Sequence, residues 1–180
     1  MLVDLCKSEG WPWFCGSEED VLDRYYWAAK QFSADVVVRI TSDCPLIEPE
    51  VTDLVIGEFI MAKPDYAHTR FYPRGLDTEV FSFDVLERIW HDDKNPAWRE
   101  HVTPYIYRHP EKFKIKAVCN DEDLSFMRWT VDTPEDLEFV RRIYSHFGHD
   151  LFSWREVLDL LKEHPEWLEI NKNIVQKTVP

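Results

Sequence analysis

The sharpest hydrophobic pattern in this chain is ADVVVRI at residues 34–40, a nearly continuous apolar run rich in β-branched side chains. Thr41, Ser42 and Asp43 follow it, and Pro45 ends it. A short run of this kind predicts a buried parallel strand over residues 35–40. Upstream, Leu2, Leu5 and Cys6 have helical spacing with Gly10 as a stop, and residues 11–15 read as a short strand. Ser17 and Asp20 form a capping-box pair ahead of Val21, Leu22, Tyr25, Ala28, Ala29 and Phe32, which predicts a helix over residues 18–32. Helix and strand together make a unit with a right-handed crossover.

Downstream, Pro49 after Glu48 opens a helix through Val51, Leu54, Val55, Phe59 and Ile60. Residues 65–68 read as a strand. Residues 71–81 form a turn at Gly75 leading into an alternating segment, with Asp77 and Glu79 on one face of it. Residues 85–90 are helical. Residues 97–107 read as a helix that Pro104 kinks or truly starts, and residues 113–118 as an edge strand. Apolar residues in 124–131 lead to Asp132, after which Thr133 as N-cap, Pro134 and Asp136 start a helix to about residue 147. Ser153 and Glu156 open a last helix to about residue 163, and no pattern is legible after Pro165.

Composition narrows the classes. The chain has 180 residues, 44% of them hydrophobic, and no repeat or low-complexity linker, so a single domain over residues 1–180 is the expectation. A net charge of −13 argues against a nucleic-acid partner or an anionic membrane surface. Arg70, Arg74, Arg99, Arg108 and Arg128 nevertheless cluster mid-chain, which leaves room for a basic pocket and a small anionic substrate. The four cysteines show no C-x-x-C spacing, which fits core thiols in a reduced compartment rather than a zinc site. With neither a membrane-length apolar run nor a signal-peptide pattern, a cytoplasmic location is expected.

Two carboxylates stand at strand-to-helix junctions, where ligands of open α/β sheets bind. Asp43 either caps a turn or faces a ligand there, and Asp132 either complements the dipole of the helix behind it or does the same. Two carboxylates brought together suit Mg²⁺, which takes a few of them along with substrate phosphates. Asp77 and Glu79 admit either a shared ligand or a solvated edge face.

The segments GSEEDVLDRYYWAA (16–29), VVRITSDCPLIEPE (37–50), YPRGLDTEVFS (72–82), REHVTPYIYRHPEKF (99–113) and RWTVDTPEDLEFV (128–140) resemble, in order, the cytidylyltransferase family that makes CMP-activated acidic sugars. The nearest branch is that of the spore-coat polysaccharide biosynthesis proteins, similar to the CMP-Kdo and CMP-sialic acid synthetases. The resemblance implies an α/β fold, a three-layer sandwich of the nucleotide-diphospho-sugar-transferase kind, here lacking its first βαβ unit, and often a homodimer. It also implies CTP and an acidic sugar as substrates, Mg²⁺ as cofactor, and Asp43 with Asp132 as the catalytic, metal-holding pair. By the same analogy Arg39, Ser42, Arg74, Asp77, Glu79, Glu100 and His101 line the substrate side, with an arginine clamping the sugar carboxylate. Asp23 and Arg24 match a family motif in which ligand contact and a structural role are both open.

The chain departs from the family in having no basic loop of the A-R-x-x-S-x-R-L-P-G-K kind. The sequence is then either a fragment or mis-started reading frame, or a natural truncation without the phosphate loop, and as a truncation little or no transfer is expected of this polypeptide alone. Two other readings remain: a noncatalytic sugar-binding or assembly module derived from the family, and a metal-dependent glycosyltransferase of related fold. Against the latter, Ser42-Asp43-Cys44 stands where a D-x-D would be needed.

Overall fold

A computed structural model describes residues 1–176. Contacts divide the described chain into two compact units, residues 1–37 with 82–113 and residues 38–81 with 114–176.

The first unit is helical. It contains α1 (Leu2–Glu9), α2 (Val21–Gln31), α4 (Phe83–Asp92), α5 (Pro96–His101) and α6 (Pro104–Arg108). The helix expected over 18–32 starts later, because Asp20 rather than Ser17 is the N-cap: its side chain accepts the Asp23 N–H, while Ser17 Oγ accepts the Asp20 N–H. Both groups remain satisfied, so the cap has moved without being lost. Residues 11–15 form no strand. Helix α2 packs on α4 and α5. Tyr26 stacks on Trp90 with ring centroids 4.0 Å apart, and the Trp90 indole N–H donates to Asp23 Oδ1 (2.8 Å). Pro104 does start a separate helix, α6.

The second unit carries most of the sheet and two apolar clusters. Strands β1 (Val36–Arg39), β2 (Tyr66–Arg70), β3 (Glu79–Ser82) and β4 (Ile115–Cys119) lie in the order β1-β3-β2-β4, with the unit boundaries falling inside β1 and at the last residue of β3. β2 runs antiparallel to β3, pairing Ala67 with Val80 and His68 with Glu79, and parallel to β4, pairing Tyr66 with Ile115 and Arg70 with Cys119. The alternation of strand side chains then separates two faces. Ala67, Val80 and Val118 pack against Val55 and Phe59 of α3 (Pro49–Ala62).

The strand expected to be buried is exposed on alternate positions. β1 ends the sheet order among the described residues, and Val36, Val38 and Ile40 are 39–44% exposed. Burial of an apolar strand needs a neighbour on each side and a layer on each face, and a strand at the end of a sheet has fewer of both.

The larger cluster joins Leu46, Val51, Tyr72, Leu76 and Trp129 to α7 (Pro134–Phe147) and α8 (Trp154–Glu163) through Phe139, Ile143, Trp154 and Leu161. A short 3₁₀ helix, Pro165–Glu169, follows α8. Residues 124–131, read as the approach to Asp132, contain no strand of the sheet, only an isolated parallel bridge between Arg74 and Arg128. That bridge needs a close approach: Gly75 has φ +105°, and a Cβ there would sit 2.9 Å from the Trp129 carbonyl carbon and oxygen.

Gly75→Ala therefore combines a left-handed backbone with a backbone clash. It is expected to destabilise the protein by about 2 kcal/mol or more and to lower Tm by roughly 4–8 °C, as measured by denaturant and thermal unfolding.

Candidate active site

The centre of the second unit is a seam of backbone hydrogen bonds. The Arg74 N–H donates to the Met127 carbonyl (3.0 Å), the Trp129 N–H to the Arg74 carbonyl (2.8 Å), and the Val131 N–H to the Asp43 carbonyl (2.8 Å). Asp43 and the residue before Asp132 are thus joined directly, although 88 positions separate Asp43 from Val131 in the chain. The turn bearing Asp43 is held further by the Tyr144 hydroxyl on the Pro45 carbonyl (2.7 Å) and by the buried side chains of Cys44 and Leu46. Three residues lie between the end of β1 and Asp43, and Thr133 caps α7 directly after Asp132.

Around this seam the structure gathers most of the residues singled out in the sequence. The Cys44 thiol lies against Thr41 (3.1 Å) and donates to Asp43 Oδ1 (3.7 Å). Its pKa is pushed up to about 12 by burial, reinforced by the charges of Asp43 and Asp77 against the opposing Thr41 hydrogen bond. Cys44 is therefore an inert thiol.

Asp77 lies outside β3 and folds back, so the expected alternation with Glu79 stops short of it; its Oδ2 accepts the Gly75 N–H (2.9 Å). Asp77 is exposed at the surface, although neighbouring protein partly desolvates its carboxylate. That desolvation raises its carboxyl above the ordinary value. Glu79 and Asp43 add to the rise, while the Gly75 N–H and Arg74 oppose it.

The arginines separate by partner. Arg39 is ion-paired with Glu79, which also accepts the Tyr66 hydroxyl, so these two residues neutralise each other. Arg74 is exposed, and among the described residues its side chain donates only to the Ser125 carbonyl, through Nε (3.3 Å). With Arg128, Lys172, Phe126 and Asn171 it lines a cavity of roughly 410 Å³. Ser42 is exposed in the turn beside Asp43.

Glu100 and His101 belong to the other unit, exposed at the end of α5. Next to them Val102 is fully buried at φ 71°, ψ −58°, with the Thr103 N–H donating to the His101 carbonyl (2.9 Å). This is a γ-turn that a β-branched residue rarely adopts. Asp23 and Arg24 hold structure locally: Asp23 takes the Trp90 indole N–H, and Arg24 donates to the Ser17 carbonyl (2.9 Å).

Three residues around Asp132 were not singled out as site residues. Arg128 contacts Asp132 Oδ2 and also grips Asp136 with two prongs, Nε to Oδ1 (2.9 Å) and Nη2 to Oδ2 (3.0 Å). Asp136 is fully buried and accepts the N–H groups of Asp132 (3.1 Å) and Thr133 (3.0 Å). The Asn171 amide donates to Asp136 Oδ1 and to the Arg128 carbonyl, both at 2.9 Å. The spacing Arg128, Asp132, Asp136 was visible in the sequence, but the capping box already accounted for Asp136. Asn171 falls after Pro165, where no pattern reaches.

Burial alone would raise the Asp136 pKa, but Arg128, Asn171 and the surrounding hydrogen bonds bring it down to about 2. A carboxyl depressed in the folded state contributes stability above its unfolded pKa and loses it as pH falls through the folded value. A shift of this size is worth about 2 kcal/mol. Unfolding free energy is thus expected to drop by about that amount between about pH 5 and pH 2 on account of Asp136, and Asp136→Asn to remove that part of the pH dependence in urea titrations.

The chain as a whole is similar to known proteins over nearly its full length. The family model described as cytidylyltransferase matches residues 4–172. An uncharacterized protein of Methanocaldococcus jannaschii is 41% identical over 179 residues, covering 98% of this chain and 74% of that protein. The spore coat polysaccharide biosynthesis protein SpsF of Bacillus subtilis is 31% identical over 166 residues, covering 89% of this chain and 69% of its own length. A cytidylyltransferase structure from Leptospira borgpetersenii superposes with a TM-score of 0.88 at 32% identity, over 98% of this chain and 75% of that one. The α/β, nucleotide-diphospho-sugar-transferase-like fold is shared with that enzyme, and the chain belongs to the cytidylyltransferase family.

Proposed function

We propose that this chain serves CTP-dependent transfer of CMP to an acidic sugar in polysaccharide biosynthesis. The anomeric hydroxyl oxygen forms a bond to the α-phosphorus, the bond between that phosphorus and the oxygen bridging to the β-phosphate breaks, and pyrophosphate leaves. The observation that carries this reading is the 2.8 Å hydrogen bond from the Val131 N–H to the Asp43 carbonyl, because it brings two carboxylate-bearing junctions to one place.

Asp43 and Asp132 are the residues that would hold Mg²⁺. Their chemistry fits: Asp132 is half exposed, and two carboxylates leave room for the phosphate and water oxygens this ion keeps. Mg²⁺ bound with CTP supplies neutralisation of phosphate charge.

Arg74 is the arginine best placed to grip the sugar carboxylate, since Arg39 is engaged by Glu79 and Arg128 by Asp132 and Asp136. A fork of two parallel N–H bonds to a carboxylate fixes orientation as well as charge. Asp77, with its raised proton affinity beside Arg74, accepts a hydrogen bond from a sugar hydroxyl. Among the described residues no helix is long and apolar enough to cross a membrane.

Pyrophosphate release from CTP with a panel of acidic sugars tests the proposal. The diagnostic is the ratio of each variant to the parent chain. Asp43→Asn and Asp132→Asn should each reduce release by about 100-fold. Arg74→Ala should raise KM for the sugar by about 10-fold or more, with a smaller change in KM for CTP. Release indifferent to both aspartates would refute the reading.

A further inference from the structure

Asp132 is held from two directions by one buried ion pair. Arg128 reaches its carboxylate, and Asp136, the partner of Arg128, accepts its backbone N–H. A helix N-cap does not need this much. Thr133 and Asp136 already exchange the two bonds of a capping box, Thr133 Oγ1 with the Asp136 N–H and Asp136 Oδ2 with the Thr133 N–H. The additional bonds are the fork from Arg128, the Asp132 N–H and the Asn171 amide.

Arg128 is 8% exposed and Asp136 0%, so both charges are withdrawn from water. Burying such a pair gains little net stability over apolar residues of the same size. What the pair does achieve is geometric. The backbone of Asp132 cannot rotate without breaking its bond to Asp136, and its carboxylate is tethered at Oδ2. The side chain remains 50% exposed, so the tether leaves it open to a ligand. Asn171 closes the frame from the far end of the chain by holding Asp136 Oδ1 and the Arg128 carbonyl together.

We infer that Arg128, Asp136 and Asn171 are positioning residues that set the direction of the Asp132 carboxylate, and through it the affinity of the site for a divalent cation with nucleotide. The inference rests on the reading of Asp132 as a metal-holding residue. Partners that orient a ligating group without touching the metal typically change metal affinity 10–100-fold when removed. Asn171 is therefore a determinant of cation binding although it lies 39 residues from Asp132 in the chain.

The test is Mn²⁺ binding in the presence of CTP, followed by electron paramagnetic resonance on the full chain, with circular dichroism and Tm recorded for every variant. Asn171→Ala, which keeps both charges, should weaken Mn²⁺ binding about 10-fold, and Asp136→Asn 10–100-fold. Arg128→Lys keeps the charge but not the fork, and should behave like Asp136→Asn rather than like the parent. Ile143→Val, a buried change in α7 away from the network, should lower Tm and leave Mn²⁺ affinity unchanged. If Asp136→Asn fails to fold, Asn171→Ala and Arg128→Lys decide the matter. Parent affinity in both of these while Asp132→Asn loses Mn²⁺ would overturn the positioning role and leave the proposed function standing. Parent affinity in Asp132→Asn, or no Mn²⁺ binding by the unaltered chain, would overturn both.

Discussion

Three backbone hydrogen bonds, between Arg74 and residues 127 and 129 and between Val131 and Asp43, are the constraint on which the candidate site depends. They join segments from three parts of the chain without any regular strand pairing. Backbone donors and acceptors buried under apolar side chains must find partners, and here they find each other beneath Leu76 and Trp129, both fully buried. The seam requires a residue with no Cβ at position 75, and it delivers Asp43, Arg74, Asp77 and Asp132 to one region.

Electrostatics in this region divides into balanced and unbalanced parts. Arg39 with Glu79 is a local pair, whereas Arg128 faces two carboxylates, Asp132 and Asp136, and leaves one negative charge over. Desolvation raises the Asp77 carboxyl, and the charges of Glu79 and Asp43 add to the rise while Arg74 opposes it. A site left with a surplus of carboxylate charge favours a cation, and an exposed arginine at its edge favours an anion. A nucleotide transfer to an acidic sugar brings both.

The helical unit shows the opposite economy of means. Its polar residues mostly serve each other: Asp20 caps α2 and pairs with Arg99, Arg99 also holds the carbonyls of Trp90 and Asp93, and Asp23 holds the Trp90 indole. Motif residues here are explained by packing before any ligand is invoked. The exception is the γ-turn at Val102, where a buried β-branched residue holds an uncommon backbone directly after Glu100 and His101. Such strain persists only where the surroundings over-determine it.

Much of the fold was legible in the sequence because its signals are local. Pro49, Pro104 and Pro134 mark helix starts, the capping boxes at Thr133 and Ser153 form as read, and Gly75 takes the positive φ that only its lack of a side chain makes easy. Asp43 and Asp132 could be picked out because each stands at a junction before a helix. The sequence could not show that β1 would end the sheet with alternate apolar residues exposed, because burial depends on neighbours and not on composition. Nor could it show which arginine is spoken for, since Arg39, Arg74 and Arg128 look alike until their partners are in place. The role of Asn171 was decided by tertiary structure alone: its two hydrogen bonds reach back 35 and 43 residues, a distance over which no periodicity carries information. The sequence determined that two carboxylates would stand at the entrances to helices; only the folded chain decided that a buried arginine and a distant asparagine would hold one of them in place.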